Sequence, residues 1–336
     1  MGGWRKGRFV TTSDRQSTME TAGPRRSVSP NGLFQIGLVG AGRMGRTHLE
    51  VLRDSPGIVV AGVVEPLEDV RAALPAGTKA FAELDEMLEA CELDGVLVAA
   101  PTDLHLPIVR RLMAERLPVL CEKPCGLTVE EAEECAHTAE AADQLLQVAY
   151  WRRFVPELQQ LRQAMLGGEL GEILAVNCHQ WDASPPPAQF RDRSGGIFVD
   201  MGVHEFDQIR WLTGQEFETV KVVASRLGST ASDPDCGQIV AELDGGSTTA
   251  VSLGRWHPAG DSCKVDVFGT ARSDTAWFLR PDAGDSVFRQ ALRLQAEDFV
   301  RAVSSGDGTG ATVTDAVTAL KIATLAAESI SAELPA

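Results

Sequence analysis

The stretch LFQIGLVGAGRMG, residues 33–45, decides the fold of the first half of the chain. It joins an apolar, strand-like run to Gly40, Gly42 and Gly45 in the spacing G-x-G-x-x-G, and a helical pattern follows. In this arrangement the first glycine permits a tight turn, the second lets a pyrophosphate approach the backbone, and the third lets helix and strand pack closely. The N-terminus of the helix then offers free N–H groups and a favourable dipole to the phosphates.

A carboxylate follows at the spacing typical of dinucleotide-binding sites. Glu65 ends the second strand-like run, twenty residues after Gly45, where it can accept hydrogen bonds from the adenosine ribose hydroxyls. Its negative charge opposes a 2′-phosphate, so the pattern predicts NAD and makes NADP the less favoured cofactor. Arg43, beside Met44 in the glycine loop, could reach a phosphate. The alternative is an ordinary glycine turn followed by a surface glutamate.

The pattern of strands and helices divides the chain into unequal parts. Apolar strand-like runs alternate with helices as far as residue 150, which predicts a doubly wound parallel sheet of the Rossmann type. The second half is mostly strand-like with two closing helices, which predicts an α+β domain on a large open mixed or antiparallel sheet. We therefore expect a disordered extension over 1–32, an NAD-binding domain over 33–150, and a substrate-binding and oligomerisation domain over 151–336.

Composition narrows the class of function. The chain has 336 residues, 44% of them hydrophobic, and a formal net charge of −16, although six basic side chains lie in the first 34 residues. A protein with so acidic a body repels phosphate backbones and anionic lipid, so neither nucleic acid nor a membrane surface is expected as a partner. The seven cysteines lack metal-ligand spacing, which favours reduced thiols in a cytoplasmic protein.

Two further motifs carry residues suited to oxidising an alcohol with NAD. Lys123 follows a strand in CEKP (121–124), where its cation could stabilise a developing alkoxide. In GGIFVDMGVHEFD (195–207), His204 is a candidate base, and Asp200, four residues earlier on the same helix face, could orient it. The pair could instead hold a metal or lie on a solvated helix surface. A third ligand is not evident and H-E-x-x-H is absent, so no metal site is predicted.

The other histidines receive a structural interpretation. We expect His48, His137 and His179 to lie on the surfaces of helices or of a sheet. In the second half of the chain, two strand-like segments (172–181 and 247–256) carry apolar residues on both faces. Because the predicted open sheet has helices on one face, this pattern predicts a homodimer or homotetramer formed through the sheet of the C-terminal domain.

Taken in order, the motifs resemble the Gfo/Idh/MocA family of oxidoreductases and, within it, the inositol 2-dehydrogenases. The match covers roughly residues 33–333. The matching features are GAGRMG (40–45), Glu65, PTDLH (101–105), EKP (122–124), WRRF (151–154), GGIFVDMGVHEFD (195–207) and DVFGT (266–270).

The resemblance implies roles for individual residues. Lys123, Asp200 and His204 form the catalytic set, and Lys123 and His204 also contact the substrate. Three residues line the nicotinamide end of the cofactor site, namely Thr102, His105 and Glu122. Arg153 and Asp182 face the substrate hydroxyls. The Lys123–Pro124 peptide bond is expected to be cis.

The implied reaction is oxidation of a secondary ring hydroxyl of a cyclic polyol or sugar, inositol first, by hydride transfer to the nicotinamide. Inositol dehydrogenases commonly have tyrosines before the aspartate that matches Asp261, where this chain reads WHPAGD (256–261). Trp256 or His257 would take the place of those tyrosines in the wall of the substrate site, so the identity of the polyol stays open. Two alternatives remain: a biosynthetic dehydrogenase of another sugar or amino sugar, and a non-catalytic NAD-binding regulatory protein.

Overall fold

The computed structural model describes residues 32–226 and 233–330. The predicted N-terminal extension, apart from residue 32, lies outside the described residues. The helices within these ranges are α1 (Arg43–Arg53), α2 (Glu68–Ala72), α3 (Leu84–Ala90), α4 (His105–Ala114), α5 (Val129–Ala142), α6 (Pro156–Leu166), α7 (Ala188–Arg191), α8 (Val203–Thr213), α9 (Ser286–Ser305) and α10 (Val313–Ser329). The strands are β1 (Phe34–Val39), β2 (Ile58–Val64), β3 (Ala80–Phe81), β4 (Gly95–Val98), β5 (Val119–Cys121), β6 (Leu146–Val148), β7 (Ile173–Trp181), β8 (Phe217–Ser225), β9 (Cys236–Leu243), β10 (Thr248–Gly254), β11 (Ser262–Gly269), β12 (Ser273–Leu279) and β13 (Ala311–Thr312).

The first sheet has the strand order β13-β6-β5-β4-β1-β2-β3. Strands β1 to β6 pair in parallel, and β13 joins the edge antiparallel to β6. The order reverses between β1 and β4, so the loops after these strands open a crevice at their carboxyl ends, where doubly wound sheets bind ligands. The predicted Rossmann-type sheet is confirmed, and the crevice receives the glycine loop and the segments that follow β4 and β5.

The second sheet is a mixed one, also as predicted, with the order β12-β11-β7-β10-β9-β8. Strand β10 runs parallel to β7, and the remaining neighbours are antiparallel. Along β9, Ile239, Ala241 and Leu243 are buried whereas Gln238 and Val240 are exposed. This period of two shows that one face of the sheet is covered and that the other is open in the single chain.

The C-terminal segment returns to the first sheet. Phe299 in α9 packs edge-on against Phe34 in β1, with ring centroids 6.1 Å apart. Gly95 permits this packing, because a Cβ there would lie 3.0 Å from the Phe299 ring. Together with β13, α9 ties the last part of the chain to the Rossmann-type sheet, while the predicted domain boundary at residue 150 stays a prediction. No helix in the described ranges is long and apolar enough to cross a membrane.

Candidate active site

The glycine loop lies between β1 and α1. Gly40 adopts a φ of +95°, and a Cβ there would lie 2.6 Å from the Ala99 carbonyl oxygen. A Cβ on Gly45 would lie 2.0 Å from the carbonyl oxygen of Gly40, whereas one on Gly42 would have nothing within 4 Å. Gly42 precedes α1 without any side-chain cap, so the first N–H groups of the helix remain available. The space over Gly42 and these free donors fit a pyrophosphate.

Glu65 is fixed against this loop. Its carboxylate accepts hydrogen bonds from the backbone N–H of Ala41 at 2.9 Å and from that of Leu67 at 3.0 Å. A carboxylate has about four lone-pair sites, so acceptor capacity remains for ribose hydroxyls. Arg71, which the sequence analysis did not single out, donates to the backbone carbonyls of Glu65 and Pro66. The ribose contact of Glu65 itself stays a prediction.

Glu122 is buried and paired with His48. The ring of His48 lies 2.6 Å from one Glu122 oxygen, and the other oxygen accepts the backbone N–H of Lys123. Burial alone would raise the pKa of Glu122, but the hydrogen bond and charge of His48, together with Lys123, hold that pKa below its usual value. The prediction that His48 lies on a helix surface is wrong. Its spacing to Gly45 and Leu52, both buried on α1, is the signal that would have revealed this.

His105 links the loops that follow β4 and β5. The side chain is 1% exposed, with Nδ1 2.9 Å from the Pro124 carbonyl oxygen and Nε2 2.9 Å from that of Ala100. Burial lowers the pKa of His105 despite these two carbonyl contacts. Its place along the nicotinamide stays a prediction. Thr102 is partly exposed after β4, and its role stays a prediction.

Lys123 meets Asp200 across the cleft between the two sheets. The Lys123–Pro124 peptide is cis, as predicted. The Lys123 ammonium donates to the backbone carbonyl of Asp200 at 2.7 Å and lies 3.6 Å from one oxygen of its carboxylate. The other carboxylate oxygen accepts from the guanidinium of Arg255 at 3.2 Å. Residues 77 positions apart in sequence thus form one charged group at the carboxyl end of β5.

Asp200 does not orient His204, contrary to the prediction from their spacing. Residues Phe198–Gly202 form a turn of π-helix, and α8 begins only at Val203. Because a π-turn bonds i to i+5, the i,i+4 rule of an α-helix does not carry across this junction. The carboxylate of Asp200 is committed to Lys123 and Arg255.

His204 is buried against aromatic rings. Its ring centroid lies 5.9 Å from that of Tyr150 and 6.3 Å from that of Trp151. Burial, followed by the positive charges of Lys123 and Arg152, holds the pKa of His204 well below 6.5, so the ring is neutral at neutral pH. Within the described part of the chain its Nδ1 is buried without a hydrogen-bond partner. The ring is therefore a free base with unmet hydrogen-bonding capacity.

The first two turns of α8, residues 203–209, are buried on all sides, which excludes the solvated-surface interpretation. Glu205 pairs with Arg152, and Asp207 accepts two hydrogen bonds from Arg153. Arg153 also lies 3.3 Å from Asp315. Its guanidinium is thus held by buried carboxylates, and the expectation that Arg153 faces the substrate stays a prediction.

Asp182 ends β7 beside the catalytic candidates. Burial, followed by the charges of Asp200 and Asp261, raises its pKa to about 6, although Arg255 opposes the rise. The backbone N–H of His257 donates to the Asp182 carbonyl at 2.9 Å, whereas the Trp256 side chain is 50% exposed. Of the two residues proposed for this wall, His257 is therefore the one held at Asp182. Among the described residues no group of three His, Cys, Asp or Glu side chains could hold a metal ion.

Two family models match the chain. The first describes an oxidoreductase family with an NAD-binding Rossmann fold and matches residues 34–150. The second describes the GFO/IDH/MocA C-terminal domain and matches residues 158–273. Together they cover most of both sheets.

Individual relatives agree with these matches. The chain is 48% identical to the rhizopine catabolism protein MocA of Rhizobium meliloti over 90% of this chain and 96% of that protein. It is 27% identical to an inositol 2-dehydrogenase of Rhizobium meliloti strain 1021, over 88% of this chain and 97% of that protein. The crystal structure of a protein assigned as a myo-inositol dehydrogenase from Sinorhizobium meliloti 1021 superposes with a TM-score of 0.84 at 27% identity, covering 88% and 97% of the two chains.

The glycine loop can be tested with two matched substitutions. We expect Gly42→Ala to fold normally, because its Cβ would have nothing within 4 Å, but to weaken NAD binding about tenfold by occupying the space over the loop. Gly45→Ala places a Cβ 2.0 Å from the Gly40 carbonyl oxygen and should lower the free energy of unfolding by about 3 kcal/mol.

Calorimetric titration with NAD and urea unfolding of both variants supply the two measurements. Wild-type NAD affinity in a folded Gly42→Ala protein would contradict the placement of the pyrophosphate over this loop.

Proposed function

This chain belongs to the Gfo/Idh/MocA family of NAD-binding oxidoreductases, which act on CH–OH donors, and we propose that it oxidises a secondary ring hydroxyl of a cyclic polyol. An inositol is the first candidate. The observation that carries the proposal is the convergence of Lys123, Asp200 and His204 next to the glycine-loop crevice. The resemblance to named inositol dehydrogenases over nearly the whole chain supports the same substrate class.

Each member of the set has a distinct role in this proposal. Bound NAD would supply the acceptor for the hydride. The Lys123 ammonium stabilises the negative charge that develops on the substrate oxygen. His204 accepts the hydroxyl proton, which its lowered pKa permits because the ring is neutral at neutral pH. Asp200 holds Lys123 through its carbonyl and carboxylate oxygens.

A second candidate is an amino-substituted cyclic polyol or sugar. Burial and then the charges of Asp200 and Asp261 raise the pKa of Asp182, and the second of these causes places three carboxyl groups at this end of the cleft. A substrate ammonium would relieve that repulsion. The relative named for rhizopine catabolism also supports a test beyond unsubstituted inositols.

Turnover of a substrate panel tests the mechanism. We expect NADH formation with at least one inositol or amino-inositol, and a fall in kcat of roughly 10²–10⁴-fold in Lys123→Met and in His204→Phe, because each removes a group acting on the transferred proton or the oxygen. The exposed Lys321, which pairs with Glu133 on the surface, provides the control variant Lys321→Met with unchanged kcat.

The same panel separates the enzyme from a regulatory protein. NAD binding without turnover of any member, by wild type and by Lys123→Met alike, would favour the regulatory alternative. Turnover that survives both active-site substitutions would contradict the assigned roles.

Asp182→Asn distinguishes the two substrate candidates. The pKa of Asp182 is raised to about 6, so its carboxylate is charged above that pH and takes up a proton below it. With an ammonium-bearing substrate we expect kcat/KM to fall below about pH 6, and Asp182→Asn to lower it roughly 30-fold or more at pH 8.

With an uncharged inositol the same substitution should cost much less, because an amide oxygen still accepts a hydroxyl hydrogen bond. The variant also identifies the source of the fall in kcat/KM on the acidic side of the pH profile (the acidic limb), because a limb that comes from His204 persists in Asp182→Asn. Equal losses for charged and uncharged substrates would contradict an ammonium site at Asp182.

We also propose that the open face of the second sheet forms a homodimer or homotetramer. Apolar side chains exposed on this face include Val223 at 75%, Val240 at 55% and Phe268 and Trp277 at 42% each. Burying such a patch against a second copy stabilises association.

Light scattering should give a dimeric or tetrameric mass for the wild type and a lower mass for the double variant Val240→Glu, Phe268→Glu. The control variant Leu325→Glu, on α10, should leave the mass unchanged. A monomeric wild type would contradict this proposal.

A further inference from the structure

Arg255 is a buried cation that the sequence analysis did not single out. It follows β10, is 0% exposed, and is among the largest fully buried side chains of the described residues. One guanidinium nitrogen lies 3.2 Å from an Asp200 oxygen, and another lies 3.2 Å from an Asp233 oxygen. Its backbone N–H donates to the Asp235 carbonyl at 2.9 Å, which fixes where the side chain starts.

Asp233, the second carboxylate partner of Arg255, holds the loop that leads into the π-turn. One Asp233 oxygen accepts the backbone N–H of Ile197 at 2.7 Å. The other accepts from Arg191 at 2.9 Å. A Cβ on Gly196 would lie 3.0 Å from the Asp233 carboxylate, so the loop passes directly over it. Arg255 therefore joins Asp200 to the segment that delivers Asp200 to the cleft.

The contact of Arg255 with Asp200 restricts how the Asp200 carboxylate can turn. One of its oxygens is held by Arg255, and the other lies 3.6 Å from the Lys123 ammonium. Rotation of the carboxylate would remove one of the two carboxylates that compensate a fully buried cation, which is unfavourable. The orientation of Asp200 toward Lys123 is thus set from behind by Arg255.

Stability alone is a poor explanation for this arrangement. Two guanidinium nitrogens of Arg255, Nε and Nη2, lack a hydrogen-bond partner within the described residues, although Nη2 is close to Asp233. A buried ion pair with unmet donors contributes little net stability compared with packed apolar side chains. Its position behind a reacting group points to a role in the geometry of the site.

We propose that Arg255 is a positioning residue for the oxidation, which holds the Asp200 carboxylate in the orientation that keeps the Lys123 ammonium in the cleft. This inference rests on the proposed function, because it takes Lys123 and Asp200 as the groups that act on the substrate. Arg255 also acts on Asp182 through space: its positive charge opposes the rise in the pKa of that carboxyl. Removal of the cation should therefore raise the pKa of Asp182 further.

Arg255→Met, which keeps much of the side-chain length but removes the charge, is the main test. We expect kcat to fall on the order of 10²-fold, as small misplacements of reacting groups do, while the KM for NAD changes only a few-fold. With an ammonium-bearing substrate, the acidic limb of kcat/KM should move to a pH above about 6, because Asp182 then protonates more easily. Arg255→Ala should recover activity when guanidinium is added, since the cation can occupy the vacated site.

A matched control comes from a second arginine that is largely buried and ion-paired. Arg210 pairs with Glu216 and lies 3.7 Å from Asp315, and its hydrogen bonds and ion pairs within the described residues do not include Lys123, Asp200 or Arg255. We expect Arg210→Met to lower the melting temperature while leaving the pH profile in place and showing no guanidinium rescue. If Arg255→Met does not fold, Arg255→Lys serves instead, because one ammonium cannot bridge both carboxylates as a guanidinium does.

The outcomes separate this inference from the proposed function. An active wild type with unchanged kcat and an unmoved acidic limb in Arg255→Met overturns the positioning role and leaves the proposed function standing. An inactive wild type overturns the proposed function. In that case the crystal structure of Arg255→Met tests the positioning role by itself. A turned Asp200 carboxylate supports that role, and an unchanged carboxylate overturns it.

Discussion

The contact between Lys123 and Asp200 is the interaction on which the candidate site depends. Lys123 is delivered by the carboxyl end of β5 in the parallel sheet, and Asp200 by a π-turn that precedes α8. The Lys123 ammonium takes its counter-charge from the second half of the chain, and Asp200 gains Lys123 as a second cation beside Arg255. Their contact lies at the edge of the parallel sheet where doubly wound sheets bind nucleotides.

The surrounding charges alternate in sign from the cleft into the interior. Lys123, Asp200, Arg255, Asp233 and Arg191 follow one another through successive ion pairs. In a region of low dielectric, such alternation allows several charges to be buried because each is compensated by its neighbours. His204 stands apart from this series, and the same low dielectric keeps it neutral. One environment thus maintains an ammonium and a neutral imidazole side by side.

The relative placement of the two sheets has its own structural support. The helix α9 returns from the second sheet and packs Phe299 on Phe34 and over Gly95, in the first sheet. Strand β13 then extends that sheet at its edge. Buried aromatic contacts of this kind limit shear between packed layers, since close-packed interiors have few alternative arrangements. The geometry at Lys123 and Asp200 is therefore supported from the opposite end of the chain.

The sequence by itself determined the dinucleotide-binding sheet and the open second sheet, and it singled out Lys123, Asp200 and His204 as candidates. Glycine spacing, strand periodicity and placement at strand ends are properties of short segments, and local sterics and hydrogen bonding govern them. Only the tertiary structure decided the partners: His48 with Glu122, Arg153 with Asp207, and Asp200 with Arg255 instead of His204. These pairs are separated by 74, 54 and 55 residues. Which distant charges meet depends on how complete elements pack, and no short segment carries that information.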